Sequence, residues 1–287
     1  AHLRPWSGDR WTKVASVAFQ DASLCAPWPA RRAACGGTST FASRVARRFA
    51  QEKVKRDPNC AAGWDQLCLC FCHRDPEKSL RCLEKSLGCG DRTALRLCLR
   101  GMLLRASGRP ERAAEAAEEA SREAPQGNGG GFALLSSRCL SLSLMDLGEW
   151  GRAAEVLRDV LKSVAPGNPR SESDLGWCLH KMRRGDGDGK RVEEAMAMIE
   201  RAAAALPGEA KHAYRLGRAM WHRGGRHRED RSLAYAWFLR AASGTALAAG
   251  ATSKDADEAL EVQSKAFRSL GEWYLRVARD EPRALRC

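Results

Sequence analysis

The chain repeats one pattern: a large apolar residue beside glycine, a spacer, alanines at helical spacing around a bulky residue, then proline. Leu175-Gly176, Leu216-Gly217 and Leu270-Gly271 carry its first half. Ala113/Ala117/Ala120, Ala153/Leu157/Val160, Ala195/Ile199/Ala202 and Ala234/Phe238/Ala241 carry the second. Positions i, i+4 and i+7 share one face of a helix. The glycine removes a side chain where a partner helix must approach. The alanines do the same from the other side, and Ile199 or Phe238 fills the volume between them. Pro125, Pro166 and Pro207 follow at an even interval of 41 residues. They stop the second helix, since proline has no N–H and clashes with the preceding turn. Gly108, Gly148 and Gly224 fall where the two helices of a hairpin must turn. The pattern predicts a stack of helical hairpins, each burying its apolar face only against its neighbours.

Phe267-x-x-Leu270-Gly271-x-x-Tyr274 is the first-helix pattern of a tetratricopeptide repeat (TPR). The TPR period is about 34 residues. The excess here sits at hairpin tips, in 184–190 and 225–230, and between repeats, in 126–131 and 244–255. Gly- and Asp-rich insertions at such places leave the packed faces intact. Sel1-type repeats also run long, and the stretch Tyr235 to Ala242 suits one, with HEAT repeats a third reading. The expectation is an all-α, TPR-like helical-hairpin solenoid, a right-handed superhelix of about five and a half hairpins over 42–287. Residues 1–41, with Trp6, Trp11 and Trp28 but no readable period, stay unassigned. The last repeat has one helix and only the start of a second, ending at Cys287. Terminal repeats need a polar outer face, so a truncated hairpin predicts a fragment of a longer array.

Composition is 44% hydrophobic and 29% charged, that of a soluble folding chain. The longest apolar runs, such as 202–206, are short and alanine-rich, so no segment is expected to span a bilayer. Net charge is +13, and residues 1–58 carry 11 basic against 4 acidic groups. The stretch Arg44 to Arg56 could attract RNA phosphates or an acidic protein; a solvated helix face is the plainer reading. Twelve cysteines lie mostly inside helical patterns, which points to a reducing compartment rather than a disulfide framework. Cys68-x-Cys70-x-Cys72-His73, with Cys82, Cys89 and Cys98 downstream, has some look of a zinc site. Zinc sites prefer C-x₂₋₄-C pairs on turns, and Cys70 points away from Cys68 and Cys72, so small buried packing residues are the preferred reading and no metal is assigned.

No phosphate-binding loop, nucleophile elbow or H-E-x-x-H pattern occurs, so no catalytic residue and no cofactor is assigned. Gly185-Asp-Gly-Asp-Gly189 lacks the spacing of a calcium loop. His180, His212, His222 and His227 are scattered, with no evident nucleophile or paired carboxylate. The Lys/Asn clamp of chaperone-tail binders is absent, since Asn59, Asn128 and Asn168 all fall in turns or loops. The concave face of the fifth hairpin is expected to present Lys211, Tyr214, Arg218, Trp221 and His222. That basic and aromatic mixture suits a protein surface or a stacked base, and equally a neighbouring helix of the same stack.

The last two hairpins are similar to a known family. Tyr214-Arg-Leu216-Gly217 through Trp221, Asp230 through Ala242, and Lys265 through Cys287 resemble, in order, a segment of the TPR scaffold subunit of the superkiller (Ski) complex. The likeness is specific over 211–287, generically TPR over 58–210, and absent from 1–41. The resemblance implies a middle portion of a long array in the cytoplasm, or also the nucleus. It implies a scaffold holding an RNA helicase and a WD-repeat subunit that feed messenger RNA to the exosome for 3′–5′ decay. That subunit has no enzymatic residues to carry over, and its helicase- and WD-binding positions have no motif match here. Direct RNA contact is left open. A generic TPR or Sel1-like adaptor with an unrelated partner is the alternative.

Overall fold

The computed structural model describes residues 40–72, 75–90, 92–123, 130–182, 189–223, 228–243 and 253–287. Residues 1–39, the Gly185–Asp188 part of the calcium-like run, Pro125, Gly224, His73, His227 and most of the insertions lie outside them. Among the described residues the regular structure is helical: α1 (Thr40–Arg56), then six consecutive pairs. These are α2 (Ala61–Phe71) with α3 (Pro76–Cys89), and α4 (Ala94–Ala106) with α5 (Pro110–Arg122). Next come α6 (Gly130–Asp146) with α7 (Trp150–Asp159), and α8 (Pro169–Lys181) with α9 (Gly189–Ala205). Last are α10 (Ala210–Arg223) with α11 (Arg228–Ser243), and α12 (Ser253–Trp273) with the short α13 (Glu281–Arg286).

The starts are set by local chemistry. Asp75, Thr93, Asn168 and Asp280 each accept a hydrogen bond from the backbone N–H three residues on, capping α3, α4, α8 and α13. Pro76, Pro110 and Pro169 stand in the first turn, where their missing N–H costs nothing. Gly108 and Gly148 take φ of +74° and +77° at the tips of two hairpins, a conformation that side chains resist. Two helices end in a π-helical turn absent from the sequence reading. After α7 comes Val160–Val164, and after α12 comes Tyr274–Ala278, closed by Arg279 in the left-handed region.

The Leu-Gly and alanine landmarks meet face to face. A Cβ on Gly176 would fall 2.7 Å from the Ala195 carbonyl oxygen and 2.9 Å from Ile199. On Gly217 it would fall 2.8 Å from the Phe238 ring and 3.3 Å from the Ala234 carbonyl. Gly101 stands in the same relation to the Ala113 carbonyl, and Gly271 to that of Ala284. The third hairpin uses buried Ser141 on α6. Ala195, Ile199, Ala202, Ala234, Phe238 and Ala241 are fully buried. The apolar interior is a string of local cores, not one. Ala50 to Ala116 form one, Leu97 to Cys139 a second, Leu142 to Ala195 a third, and Val192 to Leu270 a fourth. Each draws on neighbouring helices only, the arrangement expected of a repeat stack.

Glycine in a helix costs about 1 kcal/mol relative to alanine, so the two kinds of glycine here separate cleanly. Gly88→Ala, with open space beside it, is expected to raise stability by about 0.5–1 kcal/mol. Gly176→Ala pushes a methyl into a backbone carbonyl and is expected to lower it by about 1–3 kcal/mol. Urea unfolding midpoints of the two variants, compared with the parent, check both signs.

Candidate partner-binding face

First helices of successive hairpins touch one another: α4 with α6, α8 with α10, and α10 with α12. They form one layer of the stack. In the last three hairpins the residues flanking the Leu-Gly pair occupy equivalent places: Asp174 and Trp177, Arg215 and Arg218, Ser269 and Glu272. The shared register brings these flanks together across the joints. Arg215 Nη1 donates to Asp174 Oδ1 at 2.6 Å, and Lys211 Nζ lies 3.5 Å from the same oxygen. Burial drives the Asp174 carboxyl upward, but the charges of Lys211, Arg215 and Arg138 outweigh it and hold the group well below the ordinary carboxylate range. One joint further, Arg218 Nη1 stands 3.5 Å from Glu272 Oε2, and Arg276 reaches the other Glu272 oxygen at 3.2 Å.

A second polar set locks the same α8–α10 joint. His212 Nδ1 lies 2.7 Å from Ser173 Oγ, His212 Nε2 lies 3.0 Å from Glu209 Oε2, and Arg215 donates to Ser173 Oγ at 3.0 Å. One assignment satisfies all three. Nε2–H donates to Glu209, Ser173 O–H donates to Nδ1, and Ser173 Oγ accepts from Arg215. Arg170 Nη2 holds Glu209 at 2.7 Å. Burial raises the Glu209 carboxyl; the hydrogen bonds from His212 and Arg170, with the Arg170 charge, overcome that and bring it down to about 2. The order serine–histidine–carboxylate is that of a hydrolytic triad. Ser173 is 0% exposed, however, and Arg215 already occupies its oxygen, so no reacting carbonyl reaches it.

Aromatic rings back this layer. Lys181 Nζ lies 4.9 Å from the Trp177 ring centre and 5.8 Å from that of Trp150, while the Arg215 guanidinium lies 5.7 Å from Trp177. His180 stacks on Trp177 at 5.3 Å, and His222 of α10 tilts against His180 at 5.4 Å. Partial burial and then the nearby Arg218 charge push the Lys181 ammonium below its ordinary value.

The five residues expected on the concave face therefore divide. Lys211 and His222 reach α8, and Arg218 reaches α12. Tyr214 leans on Phe238 at 6.2 Å, and Trp221 packs under Arg231 at 5.8 Å, both on their own second helix α11. The sequence reading missed Asp174, Trp177, Lys181, Arg215 and Glu272. Aligning the repeats on Leu-Gly would have found most of them, since an acid at one flank faces a base at the next. In the cysteine-rich segment, Cys68 and Cys72 are buried. Ser79 donates to the Cys68 carbonyl at 2.8 Å, and burial pushes the Cys68 thiol well above its ordinary value. No group of three or more metal-ligating side chains occurs among the described residues.

This is the fold of a TPR-like helical-hairpin solenoid. The chain is similar to the Cut9–Hcn1 hetero-tetramer of the APC/C, with a TM-score of 0.60 at 15% identity, over 85% of this chain and 42% of that chain. It is similar also to a monomeric mutant of IFIT1 with Gppp-AAAA, with a TM-score of 0.60 at 16% identity, over 88% of this chain and 54% of that chain. YrrB, a TPR protein with an unusual peptide-binding site, matches at a TM-score of 0.48 and 16% identity, over 66% of this chain and 91% of that chain. No family model and no curated protein matches the sequence.

Removing the carboxylate from the α8–α10 joint strands two cations. Asp174→Ala is expected to cost about 3–5 kcal/mol, and Asp174→Ala with Arg215→Met to recover part of the loss, read by denaturant unfolding. The acid limb follows from Glu209. Its folded pKa lies below its unfolded value, so the stability it contributes is present above about pH 4.5 and is lost as pH falls toward about 2. Glu209→Gln is expected to flatten that part of a stability–pH curve.

Proposed function

We propose that this chain is a non-catalytic scaffold for protein–protein interaction. The observation that carries the reading is the continuous α8–α10–α12 layer of first helices, tied at its α8–α10 joint by Asp174 with Lys211 and Arg215 and by the Ser173–His212–Glu209 set. Such a layer presents many residues at fixed spacing, which is what recognition of an extended partner requires. The finer reading rests on the resemblance over 211–287: a TPR subunit of a superkiller-type complex, holding an RNA helicase and a WD-repeat protein in exosome-dependent 3′–5′ mRNA decay. A TPR- or Sel1-like adaptor for an unrelated partner uses the same surface.

Affinity purification of the tagged natural-length protein from cytosol of its own source tests both levels. The expected outcome is nuclease-resistant recovery of a superkiller-type helicase with a WD-repeat protein. Recovery of a different stable partner set would sink the finer reading and keep the scaffold. Recovery of none would sink the scaffold.

A further inference from the structure

We propose that the open side of α1, with Lys85 of α3 at its far end, holds a single strand of nucleic acid. Phe49 stacks a base, and Lys53, Arg56 and Lys85 meet the phosphates. This goes beyond the scaffold reading and does not rest on it.

The first observation is which way α1 faces. Ala50 is fully buried and Val54 packs beside it in the first core, so the apolar side of the helix is taken up by α2. Gly63 of α2 makes the room, since a Cβ there would fall 2.8 Å from Val54 Cγ2 and 3.6 Å from Lys53 Cγ. Lys53 lays its stem against α2 and keeps its ammonium at the surface. The side left open carries Arg48, Phe49, Lys53 and Arg56, all exposed. Phe49, Lys53 and Arg56 follow at i, i+4 and i+7, one stripe that runs about 10 Å along the helix.

The second observation is that the cations of this side have no acid of their own. Glu52 pairs with Lys55 at 3.1 Å, and Asp57 accepts the Asn59 N–H at 3.1 Å. Among the described residues no carboxylate lies within ion-pair distance of Arg48, Lys53 or Arg56, nor of Lys85. Trp64 brings Lys85 to the end of the stripe. Its Nε1 donates to the Pro58 carbonyl at 2.8 Å, just past the end of α1, and its ring lies under Lys85 Nζ at 4.8 Å.

The third observation selects the ligand. Phe49 is 64% exposed, and no ring or cation among the described residues engages it. A solvated helix face accounts for the charges but not for a phenyl ring standing among them. A membrane takes up the apolar side of an amphipathic helix, and here that side lies against α2. An acidic peptide answers the cations and leaves the ring in water. A single strand offers phosphates and open base faces in alternation, and such binding is built from phosphate neutralisation and base–aromatic stacking.

The test uses the whole chain and a fluorescein-labelled oligo-U RNA, read by anisotropy across a salt series. Binding is expected, and Phe49→Ala is expected to weaken it by about tenfold. Each phosphate contact adds about 0.7 to the log–log salt slope for a single strand, so Lys53→Ser with Arg56→Ser is expected to lower that slope by about 1.4. Arg112→Ser with Arg122→Ser removes the same charge from exposed positions on α5 and is expected to leave affinity within about twofold. Unchanged helical circular dichroism and melting confirm that the variants fold. No binding of oligo-U, unchanged binding by Phe49→Ala, or equal loss in the two double variants would overturn the proposal. So would a labelled Glu/Ser peptide of the same charge that binds as tightly as the RNA. The measurement needs no partner protein, so its outcome leaves the scaffold reading where the affinity purification puts it.

Discussion

Everything in this stack depends on how closely two helices can lie when one offers a bare backbone. At Gly101, Gly176, Gly217 and Gly271 the first helix comes within van der Waals reach of an alanine carbonyl on its partner. Those contacts leave no room for a methyl at Gly176 without displacing backbone. Close approach at one point fixes rotation and translation together, so Ile199 and Phe238 have only one way to fill the space beside it. The register of each hairpin follows from that fit.

Register in turn decides which polar groups meet. Because α8, α10 and α12 are each pinned at a Leu-Gly pair, the residue before the leucine on α8 faces its counterpart on α10, and Asp174 finds Arg215. The residue after the glycine on α10 finds Glu272 on α12. Similar cross-hairpin pairs recur nearer the N-terminus, between Arg96 and Asp65 and between Arg105 and Asp146. A packing rule on one side of each helix thus organises charge on the other. A basic chain becomes one with several buried or half-buried ion pairs across its joints.

The fold was more legible than the site for a physical reason. Hairpin packing is written locally: Leu216-Gly217 and Ala234/Phe238/Ala241 lie on adjacent helices, and their periodicity declares which face is buried. The site is written across joints. Asp174 and Arg215 are 41 residues apart, and neither looks unusual on its own helix. Tyr214 and Trp221 share an arc of α10 with Lys211 and Arg218, and nothing in the sequence signalled that their rings also meet Phe238 and Arg231 of α11. His212 looked isolated because its partners, Ser173 and Glu209, belong to the first helix of the preceding hairpin and to the turn before α10. The π-helical turns at Val160–Val164 and Tyr274–Ala278 had no signature in the periodicity at all.

The string of separate cores gives the molecule joints of two kinds. Around Phe238 and Leu270 the contact between neighbouring hairpins is apolar, while between α8 and α10 it runs through Asp174, Arg215, Ser173, His212 and Glu209. Apolar contact weakens on cooling, whereas the cost of keeping charges away from water falls on warming. Both kinds of contact therefore gain on warming, the ionic one after the apolar one has levelled off. In the heat the joint between the fourth and fifth hairpins, which adds buried ion pairs to the apolar core it shares, is the one that keeps its grip.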